Sequence, residues 1–205
     1  MPKTVVKKPA SKAGPQQRSG GLMAEMAKAM QGVNPTILSD AYKQTDALGG
    51  GFDNWLPPEG RYTVKVLPHP GSKWSPTPYV PSKGGDAVPI FNVQCVIEGT
   101  DPGSEGFMDQ EFTRALFFRV RETEDDKGKK HKWCPEVGEL KAMAKCVLDA
   151  DGGGELPDDL GSLIVFLFQG GERRYDLTVQ DQEYTDKKTG AEKIGKRFYW
   201  NALVE

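Results

Sequence analysis

Between residues 61 and 98 the chain twice alternates polar and apolar side chains with a period of two, and nothing else in it constrains the fold as strongly. In Arg61 to Leu67, Tyr62, Val64 and Val66 share one face, and Arg61, Thr63 and Lys65 the other. In Ile90 to Glu98, Phe91, Val93, Cys95 and Ile97 share a face. A period of two belongs to strands that bury one side and wet the other. A third run of this kind covers roughly Phe107 to Glu122. The composition agrees, because 24 glycines and 15 prolines in 205 residues punctuate a chain more than a helical bundle tolerates.

Helical spacing replaces strand spacing at Pro135, a residue suited to a first helical position. Val137, Leu140, Ala144, Val147 and Leu148 form an apolar stripe, and Gly152-Gly-Gly154 stops it. Ser162 to Gln169 is apolar on both faces and predicts a fully enclosed strand. Arg173 to Tyr184 and Arg197 to Val204 read as a closing strand pair. The predicted fold is therefore mostly β: a five- to six-stranded OB-type barrel with one helix between strands 3 and 4. Three segments follow. Residues 1–20 are a basic tail expected to be disordered. Residues 21–51 hold a short helix (Leu22, Met26 and Met30 at spacings of four) and a linker. Residues 52–205 form the barrel, with a proline-rich loop from Pro68 to Pro89.

The net charge of −2 conceals a segregation. Residues 1–20 carry five basic residues and no acid, which leaves 22 basic against 29 acidic residues in the rest. The longest strongly apolar run, Leu163 to Phe168, is far too short to cross a bilayer. No apolar stretch follows the N-terminal lysines as in a secretory signal. Cys95, Cys134 and Cys146 form no C-x-x-C pair and fit reduced thiols. A cytoplasmic protein without membrane association is expected.

Motifs that suggest chemistry lack their context. Gly190 to Lys196 has the spacing of a phosphate loop up to the lysine, but Arg197 stands where the magnesium-binding hydroxyl belongs, and no helix follows. Glu122, Glu124 and Asp126 alternate like a calcium loop, yet Lys127 replaces the turn glycine. His131 and Cys134 with Cys95 and Cys146 lack the close pairing of structural zinc ligands. The two histidines, His69 and His131, have no nucleophile partner in the pattern. The expectation is a protein with no catalytic residues, no metal and no cofactor.

Strand parity gives a better signal. In the third run Phe112, Leu116, Phe118 and Val120 suit the core, which leaves Thr113, Phe117, Arg119 and Arg121 outward. In the last run Phe198, Trp200, Ala202 and Val204 suit the core, which leaves Arg197, Tyr199 and Asn201 outward. Outward aromatics beside guanidiniums stack bases and neutralise phosphates. Lys129, Lys130, Lys132 and Trp133 follow the third run, Lys196 precedes the last, Trp74 and Tyr79 lie in the proline-rich loop, and Lys65 is outward on the first strand. Together these predict a surface for single-stranded nucleic acid. The competing reading is structural: Phe117 covered by the N-terminal helix and solvated lysine turns, in a β-barrel module that binds protein, such as a virion accessory protein. The acidic runs Glu98 to Glu111 and Asp149 to Asp159 must lie away from any such groove.

The segment Asn54-Trp-Leu-Pro-Pro-Glu-Gly-Arg-Tyr-Thr-Val-Lys-Val66 resembles the opening of single-stranded-DNA-binding proteins of phages and prophages. The later order is similar: Phe117 to Arg121, a Trp133-containing turn, the Leu140-Lys141 helix, and Gly195-x-x-x-Tyr199-x-Asn201. The resemblance covers roughly residues 52–205. It implies an OB fold, sequence-tolerant binding of single strands, and a role in DNA replication or recombination in the host cytoplasm, with Phe117, Arg119, Arg121, Trp133 and Tyr199 as contacts. Replication or recombination proteins are the implied partners. Many such proteins recruit them through an acidic tail with a terminal aromatic; this sequence ends Asn201-Ala-Leu-Val-Glu205, so that route is not expected. Oligomeric state is not legible.

Overall fold

The computed structural model describes residues 16–33, 38–40, 42, 56–81, 85–102, 104–124, 128–185 and 190–204. The basic-tail expectation for residues 1–15 and the residues Asn54 and Trp55 lie outside them. The structure is mostly β. Helix α1 (Gln16–Ala29) comes first, then β1 (Gly60–Val66), β2 (Lys73–Trp74), β3 (Ile90–Thr100), β4 (Glu111–Phe117), β5 (Arg121–Glu124) and β6 (Lys130–Trp133). Helices α2 (Pro135–Ala150) and α3 (Leu160–Phe168) follow, and β7 (Arg173–Thr185) and β8 (Glu192–Val204) close the sequence.

The main sheet is antiparallel. β3 is 11 residues long and serves both its edges: β1 and β2 pair along one, β4 along the other. β1 continues to β7 and β7 to β8, so the path runs β4-β3-β1-β7-β8. Tyr62, Val64 and Val66 of β1 and Phe91, Val93, Cys95 and Ile97 of β3 are all buried, as the alternation requires. Among the described residues no ladder joins β4 to β8. Their side chains meet instead, with the Phe112 and Phe198 rings 6.2 Å apart.

The helix between β4 and β7 forms as its stripe predicts, and Val137, Leu140, Ala144 and Val147 are buried. Gly152 and Gly153 adopt φ of +90° and +105°, a left-handed conformation that costs glycine little. The chain leaves α2 there. α2 also carries Glu139 on its buried side. The parity that turns Phe112 and Leu116 inward on β4 turns Arg114 inward too, and it is fully buried. Arg114 donates from Nε to Glu139 Oε1 (3.1 Å) and from Nη2 to Oε2 (2.9 Å), a bidentate pair. Trp200 Nε1 of β8 donates to the same Oε1 at 3.3 Å, and the guanidinium lies 4.9 Å from the Phe198 ring centre. One buried ion pair thus ties β4, α2 and β8 together.

Four expectations need correction. Residues 162–169 belong to helix α3, not to a strand. An all-round apolar run cannot be told from a buried helix by period alone, and here Asp159 decides: its Oδ1 accepts from Ser162 N (2.9 Å), capping the first turn. The third run is not one strand. Arg119 N donates to Phe117 O, a tight turn that ends β4, and β5 pairs with β6 in a separate two-stranded hairpin. In β8 the ladder slips between Asp176 and Leu177, whose partners are Ala202 and Trp200, so Asn201 is the extra residue of a bulge. Parity flips beyond it: Leu203 packs on the core while Ala202 and Val204 are exposed. Finally, α1 begins at Gln16, inside the segment expected to be a tail, and Gly32 (φ +77°) ends its last turn.

The N-terminal segment joins the main core. Leu22, Ala29, Leu38 and Tyr42 are buried in the same cluster as the sheet. Tyr42 hydroxyl donates to Pro157 O, and burial with Asp159 and Asp158 nearby raises its pKa to about 12. Among the described residues no helix is long and apolar enough to cross a membrane.

Removing one member of the buried pair strands the other charge. Arg114→Ala and Glu139→Ala are each expected to lose about 3–5 kcal/mol in urea denaturation. The double variant Arg114→Met/Glu139→Leu is expected to regain most of that loss. The Asp159 cap gives a pH signature. Its bonds to Ser162 lower its pKa below the ordinary 3.8, so the stabilisation is present above pH 3.8 and disappears as pH falls through the folded-state value. Asp159→Ala should cost about 1 kcal/mol at neutral pH, and this gap should close below that window in denaturation curves taken at stepped pH.

Candidate nucleic-acid interface

The backbone brings Tyr79 and Phe117 together. Ile90, the first residue of β3, pairs with Phe117, and Phe118 N donates to Pro89 O (3.0 Å). One step upstream, Val88 and Tyr79 exchange two backbone hydrogen bonds of 2.8 Å each. Tyr79 is thereby held edge-on to Phe117, with ring centres 6.0 Å apart. Arg119 projects beyond the tight turn and places its guanidinium 5.7 Å from the Tyr79 ring centre. Tyr79 and Arg119 are exposed and Phe117 is half-buried. Two residues on, Arg121 lies 5.4 Å from the Trp133 ring centre, where the hairpin pairs the two residues. Five candidates from three segments therefore gather about residues 117–121 in two aromatic groups, each with a guanidinium over one ring.

Other candidates are placed elsewhere. Trp74 is a correction: it is 2% exposed and packs in the core against Phe91 (5.2 Å) and Phe118 (5.5 Å), so it offers no face for stacking. Its neighbours Phe91 and Phe118 come from adjacent strands, and a lone aromatic in a proline-rich loop gave no sign of that. Lys65 ion-pairs with Glu98 at 3.0 Å, and Glu98 also accepts from Arg174 Nε at 2.6 Å. The Glu98 carboxyl is held below the usual range by its hydrogen bonds to Lys65 and Arg174. Lys196 pairs with Asp181, and Arg197 Nε donates to Gln182 Oε1. Tyr199 is half-buried on the outer face opposite Thr178. These residues belong to the outer face of β1, β3, β7 and β8, where Arg61 also holds Asp176 (Nε to Oδ1, 2.8 Å). Cation meets carboxylate across most of that face.

The lysines of β6 also have acids near them. Lys130 stands opposite Glu124, and Lys132 opposite Glu122 and 3.4 Å from Asp40. Lys129 is exposed at the hairpin end. The phosphate-loop spacing at Gly190 to Lys196 runs into β8, whose register to β7 is unbroken from Glu192 to Lys196. Cys95, Cys134 and Cys146 are buried, and burial raises all three thiols. Among the described residues no cluster of His, Cys, Asp or Glu has the makings of a metal site.

Of the acidic runs, Glu111, Asp149 and Asp151 lie at element ends away from Phe117, whereas Asp158 and Asp159 lie beside Tyr42. Glu111 begins β4 and Phe117 ends it, roughly 20 Å apart at strand rise; Asp149 and Asp151 are at the far end of α2. Two other acids do approach. Beside Arg119 opens a cleft of about 370 Å³, floored by Leu38, Val88 and Phe118, with the exposed Asp86 and Glu122 on its wall. Sequence reading passed over both, because each is a single acid in a polar stretch and the cleft joins segments 38, 86–88 and 118–122. No family model, curated protein or solved structure matches the chain.

The paired outer face has a titration signature. Glu98 and Asp176 are both held below their ordinary values of 4.5 and 3.8, Asp176 by its bond to Arg61. Carboxyl-carbon NMR titration is expected to find both midpoints below those values, and midpoints at or above them would break the assignment of these cations to carboxylates.

Proposed function

We propose that this chain is a non-enzymatic, sequence-tolerant single-stranded-DNA-binding protein on an OB-type barrel, acting in phage-type replication or recombination. The strand path β4-β3-β1-β7-β8 with a helix before β7 supports the barrel reading, since five-stranded OB barrels bind oligonucleotides on their second and third strands and adjoining loops. One observation carries the functional reading: Phe117 at the end of β4 with Tyr79 against it, Arg119 over Tyr79, and Arg121 over Trp133 close by. An aromatic supplies a π surface to an unpaired base, and a guanidinium beside it neutralises the adjoining phosphate. Arg61, Lys65, Arg174 and Lys196 on the outer sheet face are already matched by carboxylates, so phosphate contact falls first to Arg121, beside the Trp133 ring.

A polarisation titration with labelled oligo-thymidine at two salt concentrations tests this. Binding that weakens with salt is expected, with Phe117→Ala and Trp133→Ala each losing about 1–3 kcal/mol while melting temperature shows the fold retained. No binding at low salt would remove the nucleic-acid reading. It would favour the protein-interaction module instead, for which the paired charges of the outer face are the supporting observation.

A further inference from the structure

The cleft beside Arg119 has no part in stacking or in phosphate contact as described so far. It is small, about 370 Å³, near the lower end for sites that take small ligands. Its floor is apolar: Leu38, Val88 and Phe118 are each buried against the core. Its polar groups are one guanidinium, Arg119, and two carboxylates, Asp86 and Glu122. Two negative charges beside one positive charge repel a phosphate. An apolar floor rules out a well-solvated cation as a natural occupant. What remains is a flat, largely apolar group whose edge carries hydrogen-bond donors for a carboxylate and acceptors for a guanidinium.

The location narrows this further. Arg119 is shared, forming part of the cleft wall while its guanidinium lies over the Tyr79 ring. Val88, on the floor, is the residue whose backbone holds Tyr79 in place. A strand stacked on Tyr79 and Phe117 therefore has its neighbouring base at the mouth of the cleft. Among the four bases, guanine alone presents two adjacent donors, N1–H and N2–H, to a carboxylate. The same base presents O6 and N7 as paired acceptors to an arginine. Cytosine and adenine each offer one amino donor beside a ring acceptor, and thymine offers one N–H between two carbonyls.

We infer that this cleft is a single-base pocket that takes a guanine of the bound strand, read by Asp86 or Glu122 on its donor edge and Arg119 on its acceptor edge. The inference rests on the single-stranded-DNA reading and adds a preference to it: binding tolerates any sequence but tightens where a guanine is available.

The experiment uses the full chain and compares polarisation titrations of oligo-thymidine with the same oligonucleotide carrying one central guanine. The guanine is expected to tighten binding about tenfold, the scale of one good bidentate base contact. Replacing it with inosine, which keeps O6 and N7 but lacks the N2 amino group, should remove most of the gain. Adenine or cytosine at that position should give little. In the double variant Asp86→Ala/Glu122→Ala, both positions being exposed, the guanine-to-thymidine affinity ratio should fall towards one without a change in melting temperature. Equal affinity for all four bases, an undiminished inosine gain, or a ratio untouched by the double variant would each overturn the pocket while leaving single-strand binding in place. Failure to bind any oligonucleotide at low salt would instead defeat the reading beneath it.

Discussion

The arrangement of this protein depends on a charge that strand geometry forces into the interior. β4 alternates strictly, so the position between Phe112 and Leu116 points inward, and it is an arginine. A buried guanidinium without a partner is prohibitively costly, so the fold must deliver a carboxylate to it. The helix after the β5-β6 hairpin does so with Glu139, one turn into its buried face. The same oxygen accepts from Trp200 of β8, which brings the last strand to the third without a backbone ladder between them. Burial of the pair adds little net stability compared with an apolar substitute. In the observed placement of α2 against the sheet, Glu139 meets Arg114 of β4 and Trp200 of β8 at once.

Charge on the outside follows the opposite logic. Across β1, β3, β7 and β8 the cations lie beside carboxylates on neighbouring strands, as Lys65 and Arg174 do around Glu98 and Arg61 does with Asp176. Such a face is polar and soluble but has little field left to attract a polyanion. Past the end of β4, where the ladder breaks, the guanidiniums of Arg119 and Arg121 face rings rather than carboxylates. Breaking the strand there is what changes the company these arginines keep.

How much of this is legible in sequence depends on how local the cause is. Strands β1 and β3, helix α2 and the final hairpin rest on periodicity and caps within each segment, and they read directly. The inward or outward side of Phe117, Phe118 and Phe198 follows from the same parity. Parity fails at Asn201, because a bulge is set by the partner strand and one inserted residue reverses every side chain beyond it. Period also fails for Leu160–Phe168, where burial on every side erases it and only Asp159 and Ser162 mark a helix. The surroundings of the lysines are hidden for a related reason: Glu98, Asp181, Glu122 and Glu124 lie beside or opposite them on other strands, and pairing between strands leaves no trace in composition. Trp74 and the Asp86–Glu122 cleft depend on long-range contacts altogether.

The docking of the N-terminal segment bears on what counts as the functional unit. Leu22, Ala29, Leu38 and Tyr42 are core residues, and Leu38 also floors the cleft beside Arg119. The strand-rich region from residue 56 onward therefore shares one core with the segment before it. The sheet's apolar surface is completed, and the cleft beside Arg119 is floored in part, by chain that precedes it. A change of packing in that segment therefore reaches both the core and the cleft.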